Sequence, residues 1–372
     1  MTGEVNGDQT RQKKNMTEPH AMTCSGDAPT ADSRSPQETV LVTGGSGFLG
    51  GWTVVELLRR KYSVRTTIRD LTRAPQVRAM VATEVDPGDR LRFVQADLLK
   101  DRGWDEATAD ADFVLHVASP MPVGEFRGQD VITPAREGTL RVLRAARKAA
   151  VKRVVITSST AAAAPPAGSA GVSVMKRSGP TCPPKPIHNY ARSKTLAEQD
   201  AWAYVRDNGG IELTTVLPNQ IQGPVLGHDF SPSVSIIAMM LRGKLPAVPR
   251  IGWGIVDVRD VVELHVRAMN SPKAPGQRFI ANSDFLWLKD VAQILREELP
   301  DKAAKVGTRT LPNFVVRLGG LFNYEMKQLA AGLDDRALLS AAKAKRVLDW
   351  TPRTAREAVV ATAHSLVDKG FV

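Results

Sequence analysis

The chain holds only two cysteines in 372 residues, Cys24 and Cys182. Two such distant thiols make no disulfide framework, so a reducing cytoplasm is the expected compartment. Aromatic residues amount to 5%, and none form a platform among the basic residues, which counts against nucleic acid as a partner. No apolar run approaches the roughly 18 residues of a membrane span. Ser235-Ile-Ile-Ala-Met-Met-Leu241 is too short and reads as a buried helix. The six histidines show no paired metal spacing, so no metal is expected. Acidic residues are outnumbered 39 to 50, for a net charge of +11. The basic residues are dispersed, as in Arg141-Val-Leu-Arg-Ala-Ala-Arg-Lys148, and read as a solvated helix face plus a pocket for an anionic ligand.

Residues 1–36 are polar and poor in aromatic and β-branched residues, so a disordered extension is expected there. They contain no apolar segment of a secretory signal, and their acidic residues speak against a mitochondrial leader. Met16 and Met22 are alternative starts before the first strand. Beyond them, a hydrophobic content of 42% suits one large α/β unit with a smaller lobe.

What is present is more specific. Thr39 to Thr43 reads as a buried strand, followed by glycines at 44, 47 and 50 and then by Trp52 and a run with helical apolar spacing. Strand, glycine turn and helix in this order suit a dinucleotide: the backbone can approach the pyrophosphate, and the helix start offers unpaired N–H groups. The spacing is G-x-x-G-x-x-G. A second strand, Ser63 to Ile68, ends at Arg69-Asp70, with Arg73 close behind. An acidic residue there suits a ribose hydroxyl and an arginine suits a 2′-phosphate, so NADP(H) is favoured and NAD(H) stays possible through Asp70.

A third strand, Val154-Val-Ile-Thr-Ser-Ser159, ends in hydroxyl residues, where open α/β sheets bind ligands. Strand-end capping is the plainer role for Ser158 or Ser159. Tyr190-Ala-Arg-Ser-Lys194 puts a phenol and an ammonium on one helix face. A nearby positive charge would bring the phenol toward the working range. Leu91–Gln95, Phe113–Val117 and Leu213–Leu217 read as further parallel strands, and Pro134–Ala150 as a helix whose Gly138 packs close on the sheet.

Together these motifs give the chain a resemblance to the extended short-chain dehydrogenase/reductase superfamily, in its dihydroflavonol reductase-like branch of aldehyde and ketone reductases. The resemblance runs from Val40 to about Met269 and adds Ala96-Asp-Leu98, His116-Val-Ala-Ser-Pro120, Gln222-Gly-Pro224, Asp257-Val-Arg-Asp-Val261 and Leu348-Asp-Trp350. It implies a doubly wound Rossmann parallel sheet with a smaller mixed C-terminal substrate lobe. Residues 37–217, rejoined by 255–282, would form the cofactor domain, and 218–254 with 283–372 the substrate lobe.

It also implies roles for single residues. Gly44, Gly47, Phe48, Leu49 and Gly50 would cradle the cofactor's phosphates, and Asp97 and Leu98 its adenine. Val117, Ala118, Ser119 and Thr157 would line its path, and Pro218 would lie against the nicotinamide. Tyr190 would protonate a carbonyl oxygen, Lys194 would lower the tyrosine pKa and bond the ribose, and Ser159, with Ser158 second, would polarise the carbonyl.

Some residues depart from the usual pattern. Asn219-Gln220 stand where small or apolar residues are common, and Thr160 to Gly171 is rich in Ala, Pro and Gly. The expected activity is NADPH-dependent reduction of a small carbonyl compound by a monomer or homodimer. The alternatives are an NAD-dependent sugar-nucleotide epimerase or dehydratase, a 3β-hydroxysteroid dehydrogenase-like enzyme, and an NADP-sensing binding protein. Thr160-Ala161 after Ser159 counts against a dehydratase, which carries Asp-Glu there. The missing membrane span counts against a membrane-bound steroid dehydrogenase. The substrate loops would run over Pro120–Arg127 and Gln222–Ser233.

Overall fold

The computed structural model describes residues 37–119, 130–163, 189–336 and 339–372. Cys24, Cys182, His188, the 1–36 extension, the Pro120–Arg127 loop and most of the stretch from Thr160 to Gly171 lie outside the described residues.

The chain alternates strand and helix through β1 (Thr39–Thr43), α1 (Phe48–Arg59), β2 (Ser63–Ile68), α2 (Ala74–Ala82), β3 (Leu91–Gln95), α3 (Trp104–Thr108), β4 (Phe113–His116), α4 (Ile132–Lys148), β5 (Arg153–Thr157), α5 (Asn189–Asn208) and β6 (Glu212–Pro218). It continues as β7 (Gln220–Gln222), α6 (Pro232–Leu241), β8 (Ala247–Pro249), β9 (Gly252–Asp257), α7 (Val258–Asn270), β10 (Arg278–Ala281), β11 (Phe285–Trp287), α8 (Leu288–Glu298), β12 (Arg309–Leu311), α9 (Asn313–Gly319), α10 (Tyr324–Ala331), α11 (Ala342–Leu348) and α12 (Ala355–Asp368).

Seven strands form one sheet in the order β3-β2-β1-β4-β5-β6-β10. Every pairing in it is parallel. Parallel strands need crossover helices, which cover both faces of the sheet, so its strands are apolar on both sides. β1 shows this: Val40 and Val42 join the core under α1 and α7, while Leu41 joins the core under α3, α4 and α5. The strand order reverses between β1 and β4, and ligands of such sheets bind at the carboxyl ends flanking that point. This is the doubly wound Rossmann sheet expected from the sequence.

A second core gathers Val234 and Ile237 of α6, Leu295 of α8, and Val359 and Leu366 of α12. The smaller β-structure over it is mixed: β9 runs parallel to β7 and antiparallel to β11, and β8 pairs with β12. Among the described residues no helix is long and apolar enough to cross a membrane.

Three local expectations shift. The first helix begins at Phe48, so Gly50 and Gly51 lie inside its first turn rather than before it. The serine-bearing strand stops at Thr157, which leaves Ser158 and Ser159 beyond its end. A Cβ on Gly138 would come within 2.8 Å of Leu98 Cβ, so the residue it accommodates belongs to the chain after β3 and not to a strand of the sheet.

Candidate active site

The glycine turn is built by close approach. Gly44 has φ +75°, and a Cβ there would touch Ala118 at 3.0 Å. A Cβ on Gly50 would lie 2.1 Å from the Gly44 carbonyl oxygen. Thr67 holds the turn from β2, its hydroxyl accepting from the Gly44 N–H at 3.1 Å and its carbonyl from the Gly45 N–H at 3.3 Å. Gly47 is the N-cap of α1, and no side chain caps that helix start. The N–H groups of the first turn, at Phe48, Leu49 and Gly50, have no carbonyl a turn back to bond. This cradle fits the pyrophosphate of a dinucleotide.

At the end of β1, Thr43 Oγ1 accepts N–H bonds from the chain leaving the facing strand β4, from Val117 at 3.0 Å and Ala118 at 2.9 Å. Its own proton therefore goes to His116 Nδ1, 2.9 Å away. His116 Nε2 then donates to Thr139 Oγ1 at 3.3 Å, which in turn donates to the Ala135 carbonyl at 2.8 Å. Burial, with a smaller push from the Lys194 charge, lowers the His116 pKa to about 3, so the ring is neutral. Val117, Ala118 and Ser119 are thus held against the glycine turn by a buried hydroxyl–imidazole chain.

Tyr190 and Lys194 share the first turns of α5. The Tyr190 phenol faces the Ser159 side chain. Its pKa is raised above the usual value by burial, and the Ser159 hydroxyl opposes that only in part. This reverses the expected direction. The Lys194 ammonium is aimed instead at the Thr157 carbonyl oxygen, 3.2 Å away. Burial brings Lys194 itself down to about 8, against the pull of Glu198.

The two serines part company. Ser158 donates to Glu198 Oε2 at 2.6 Å, a buried bond that turns it away from Tyr190. Ser159 caps the short helical turn at Thr160–Ala162, accepting from the Ala161 N–H at 3.1 Å. The capping role and the contact with Tyr190 therefore coexist, because a hydroxyl accepts and donates at once. Thr157 binds in two directions: its hydroxyl meets His265 Nε2 at 2.8 Å and its carbonyl takes Lys194.

At the end of β2, Arg69 is exposed, and its guanidinium forms no ion pair among the described residues. Arg73 departs from expectation. It is paired with Asp229 at 2.5 Å, because the chain after β7 passes beside α2. The Asp70 carboxylate is tied into its own turn by the Thr72 N–H at 2.9 Å. Asp97 likewise accepts from the Leu99 N–H at 3.0 Å. Pro218 ends β6, buried, and its carbonyl accepts from Thr160 Oγ1 at 3.4 Å.

A cavity of about 20 Å³ lies between the ends of β4 and β5 and helices α4 and α5, lined by Leu98, Ala118, Ser119, Thr157 and Lys194 together with Glu198. Sequence reading passed over Thr43 and Glu198. The signal for Glu198 was its place four residues after Lys194 and eight after Tyr190, on one face of one helix. Among the described residues no cluster could hold a metal ion.

A sequence profile of the NAD dependent epimerase/dehydratase family matches residues 40–282. The chain is 35% identical over 277 residues to tetraketide alpha-pyrone reductase 1 of Arabidopsis thaliana, covering 70% of this chain and 81% of that one. It is 31% identical over 298 residues to the bifunctional dihydroflavonol 4-reductase/flavanone 4-reductase of Pyrus communis, covering 72% and 78%. Among solved structures it is similar to yeast methylglyoxal/isovaleraldehyde reductase Gre2 complexed with NADPH, with TM-score 0.72, 25% identity, and coverage of 90% of this chain and 100% of that one.

Proposed function

The chain belongs to the NAD-dependent epimerase/dehydratase family, as its extended short-chain dehydrogenase/reductase motifs implied, and we propose that it reduces a ketone or aldehyde to the alcohol with NADPH. The observation that carries this reading is the convergence of Ser159 and Tyr190, with Lys194 one helical turn along and its ammonium on the Thr157 carbonyl two residues before Ser159. The names of the three relatives given above, each a reductase, agree with it.

The glycine turn and the start of α1 would hold the pyrophosphate, and Arg69 the 2′-phosphate. Arg73 would have to leave Asp229 to help. Asp70 accepts the Thr72 N–H on one carboxylate oxygen, and the arginine at this strand end is what favours NADP(H) over NAD(H). Leu98 and Asp97 would flank the adenine, and Val117 to Ser119, with Thr157, the ribose-phosphate link. Pro218 would back the nicotinamide, which when bound supplies the hydride.

The protein's own part is to place the carbonyl oxygen and give it a proton. The Ser159 hydroxyl would donate to that oxygen as negative charge develops on it. Tyr190, held protonated by its raised pKa, has a proton to give at neutral pH. Lys194 would stabilise the resulting phenolate and bond the ribose. Within chain 218–254 and 283–372, the parts that build the second core would shape the pocket for the remainder of the substrate, while Ala344, Leu348 and Trp350 pack in the core under α1 and α7.

The test is the fall in absorbance at 340 nm when NADPH meets a panel of aldehydes and ketones. Consumption with defined alcohol products supports the reading. NADPH binding with no turnover across the panel would favour a sensing protein instead.

A further inference from the structure

Glu198 is a carboxylate with almost no access to water, 2% exposed, at the centre of a closed set of donors. Oε1 accepts from Thr215 Oγ1 at 2.9 Å, Trp202 Nε1 at 3.2 Å and Arg278 Nε at 2.5 Å. Oε2 accepts from Ser158 Oγ at 2.6 Å and Arg278 Nη2 at 3.1 Å. Five bonds from β5's end, α5, β6 and β10 converge on one side chain. A buried charge held this way fixes the geometry of whatever is attached to it.

Two parts of the candidate active site are attached. Ser158 is the neighbour of Ser159, and Arg278 also reaches the Ala162 carbonyl at 3.4 Å, in the turn that Ser159 caps. Lys194 is one helical turn before Glu198, and both line the same small cavity. We propose that Glu198 is a positioning residue for carbonyl reduction: it ties the Ser159-bearing turn to the helix face of Tyr190 and Lys194, and supplies the buried negative charge one turn from the lysine ammonium. The catalytic half of this inference rests on the function proposed above.

The other charged groups around the ammonium do not replace it. His116 on β4 is neutral, and so is His265, reached from α7 through Thr157, with a pKa lowered by burial to about 4. Arg278 on β10 is spent on Glu198 itself, with Lys343 of α11 beyond it. Arg136 of α4 is paired with Asp200 at 2.6 Å. Glu198 is the group that favours the charged form of Lys194 against its burial.

The experiment uses the full chain with Glu198→Gln, Glu198→Asp and Thr215→Val. In Glu198→Gln the alkaline limb of kcat should move acidward by at least one pH unit, and kcat at pH 7 should fall at least tenfold. Glu198→Asp keeps the charge but shortens its reach, so turnover should fall while the limb stays put. Thr215→Val removes one donor to the same carboxylate and should lower the melting temperature without moving the limb. A limb unmoved in Glu198→Gln, or moved as far by Thr215→Val, overturns the proposal.

A second measurement needs no substrate. A lysine released near pH 8 when folded and near 10.5 when unfolded makes unfolding harder as pH rises through that window. The rise should begin at least one unit lower in Glu198→Gln. If it does so while the parent protein reduces no carbonyl, the electrostatic coupling stands and the proposed activity is what fails. If it does not shift, the coupling fails whatever the activity.

Discussion

Thr43 gives its hydroxyl proton to His116 Nδ1 across 2.9 Å, inside a core that water does not reach. The bond fixes the ring as neutral, with Nδ1 accepting, and burial keeps it so down to about pH 3. His265 is likewise neutral down to about pH 4, in the other tautomer, with Nδ1 donating to the Val261 carbonyl.

Stability should therefore fall in mild acid. Unfolded histidines take up protons near pH 6.5, whereas these two stay unprotonated when folded. Between pH 6.5 and about 4 the unfolded state binds more protons, so the unfolding free energy drops as pH falls. Each histidine contributes up to about 1.4 kcal/mol per pH unit. Denaturant titrations from pH 7 to 5 check this, and a flat profile would mean the rings are charged in the fold. Thr43→Val should cost about 1–3 kcal/mol at pH 7, because the Val117 and Ala118 N–H groups lose their acceptor.

Tyr190→Phe removes the proton donor and little else. NADPH binding, followed by cofactor fluorescence, should persist, while kcat falls roughly 10²–10⁴-fold. Turnover close to that of the parent would take Tyr190 out of the chemistry.

The two adjacent serines should respond differently to alanine. Ser159→Ala loses a partner of Tyr190 and should reduce kcat about tenfold or more with a modest change in melting temperature. Ser158→Ala leaves a buried carboxylate short of one donor, so its larger effect should be on stability, about 1–3 kcal/mol. Equal kinetic losses with equal stability would show that the serines are not divided in this way.

Arg69→Ala should raise KM for NADPH at least tenfold and leave KM for NADH nearly unchanged, since only the former carries a 2′-phosphate. Arg73→Ala should do less, because Arg73 is engaged by Asp229. A parent protein that uses NADH as well as NADPH would remove Arg69 from the phosphate site.

Gly50→Ala puts a methyl group 2.1 Å from the Gly44 carbonyl oxygen, where backbone has to move. Cofactor affinity should fall at least tenfold, measured by titration on protein shown by circular dichroism to be folded. Gly47, whose Cβ would have only the Gly44 oxygen within 4 Å, at 3.5 Å, should tolerate alanine better in folding.

Much of the site was legible in the chain because it is local. The glycine spacing, the run into Arg69, and the four-residue step from Tyr190 to Lys194 each depend on a few neighbouring residues. Their backbone geometry follows from 3.6 residues per turn and two-residue strand alternation. The family kinship rests on the same motifs in order, and the residues of the parallel sheet's first six strands were readable as β-branched runs.

Long-range contacts were not legible. Sequence suggested that Lys194 lowers the Tyr190 pKa, but the fold directs that ammonium to the Thr157 carbonyl and buries the phenol, so the shift runs upward. It put Arg73 near the phosphate, but Asp229, 156 residues away, holds it. By itself the chain determined which groups are available and which fall on one helix face, because those depend on local geometry. Tertiary structure alone decided that Ser158 faces Glu198 while Ser159 faces Tyr190, and that Arg278, eighty residues on, locks the carboxylate. Burial and charge pairing depend on what the other strands and helices bring alongside, and no local pattern encodes that.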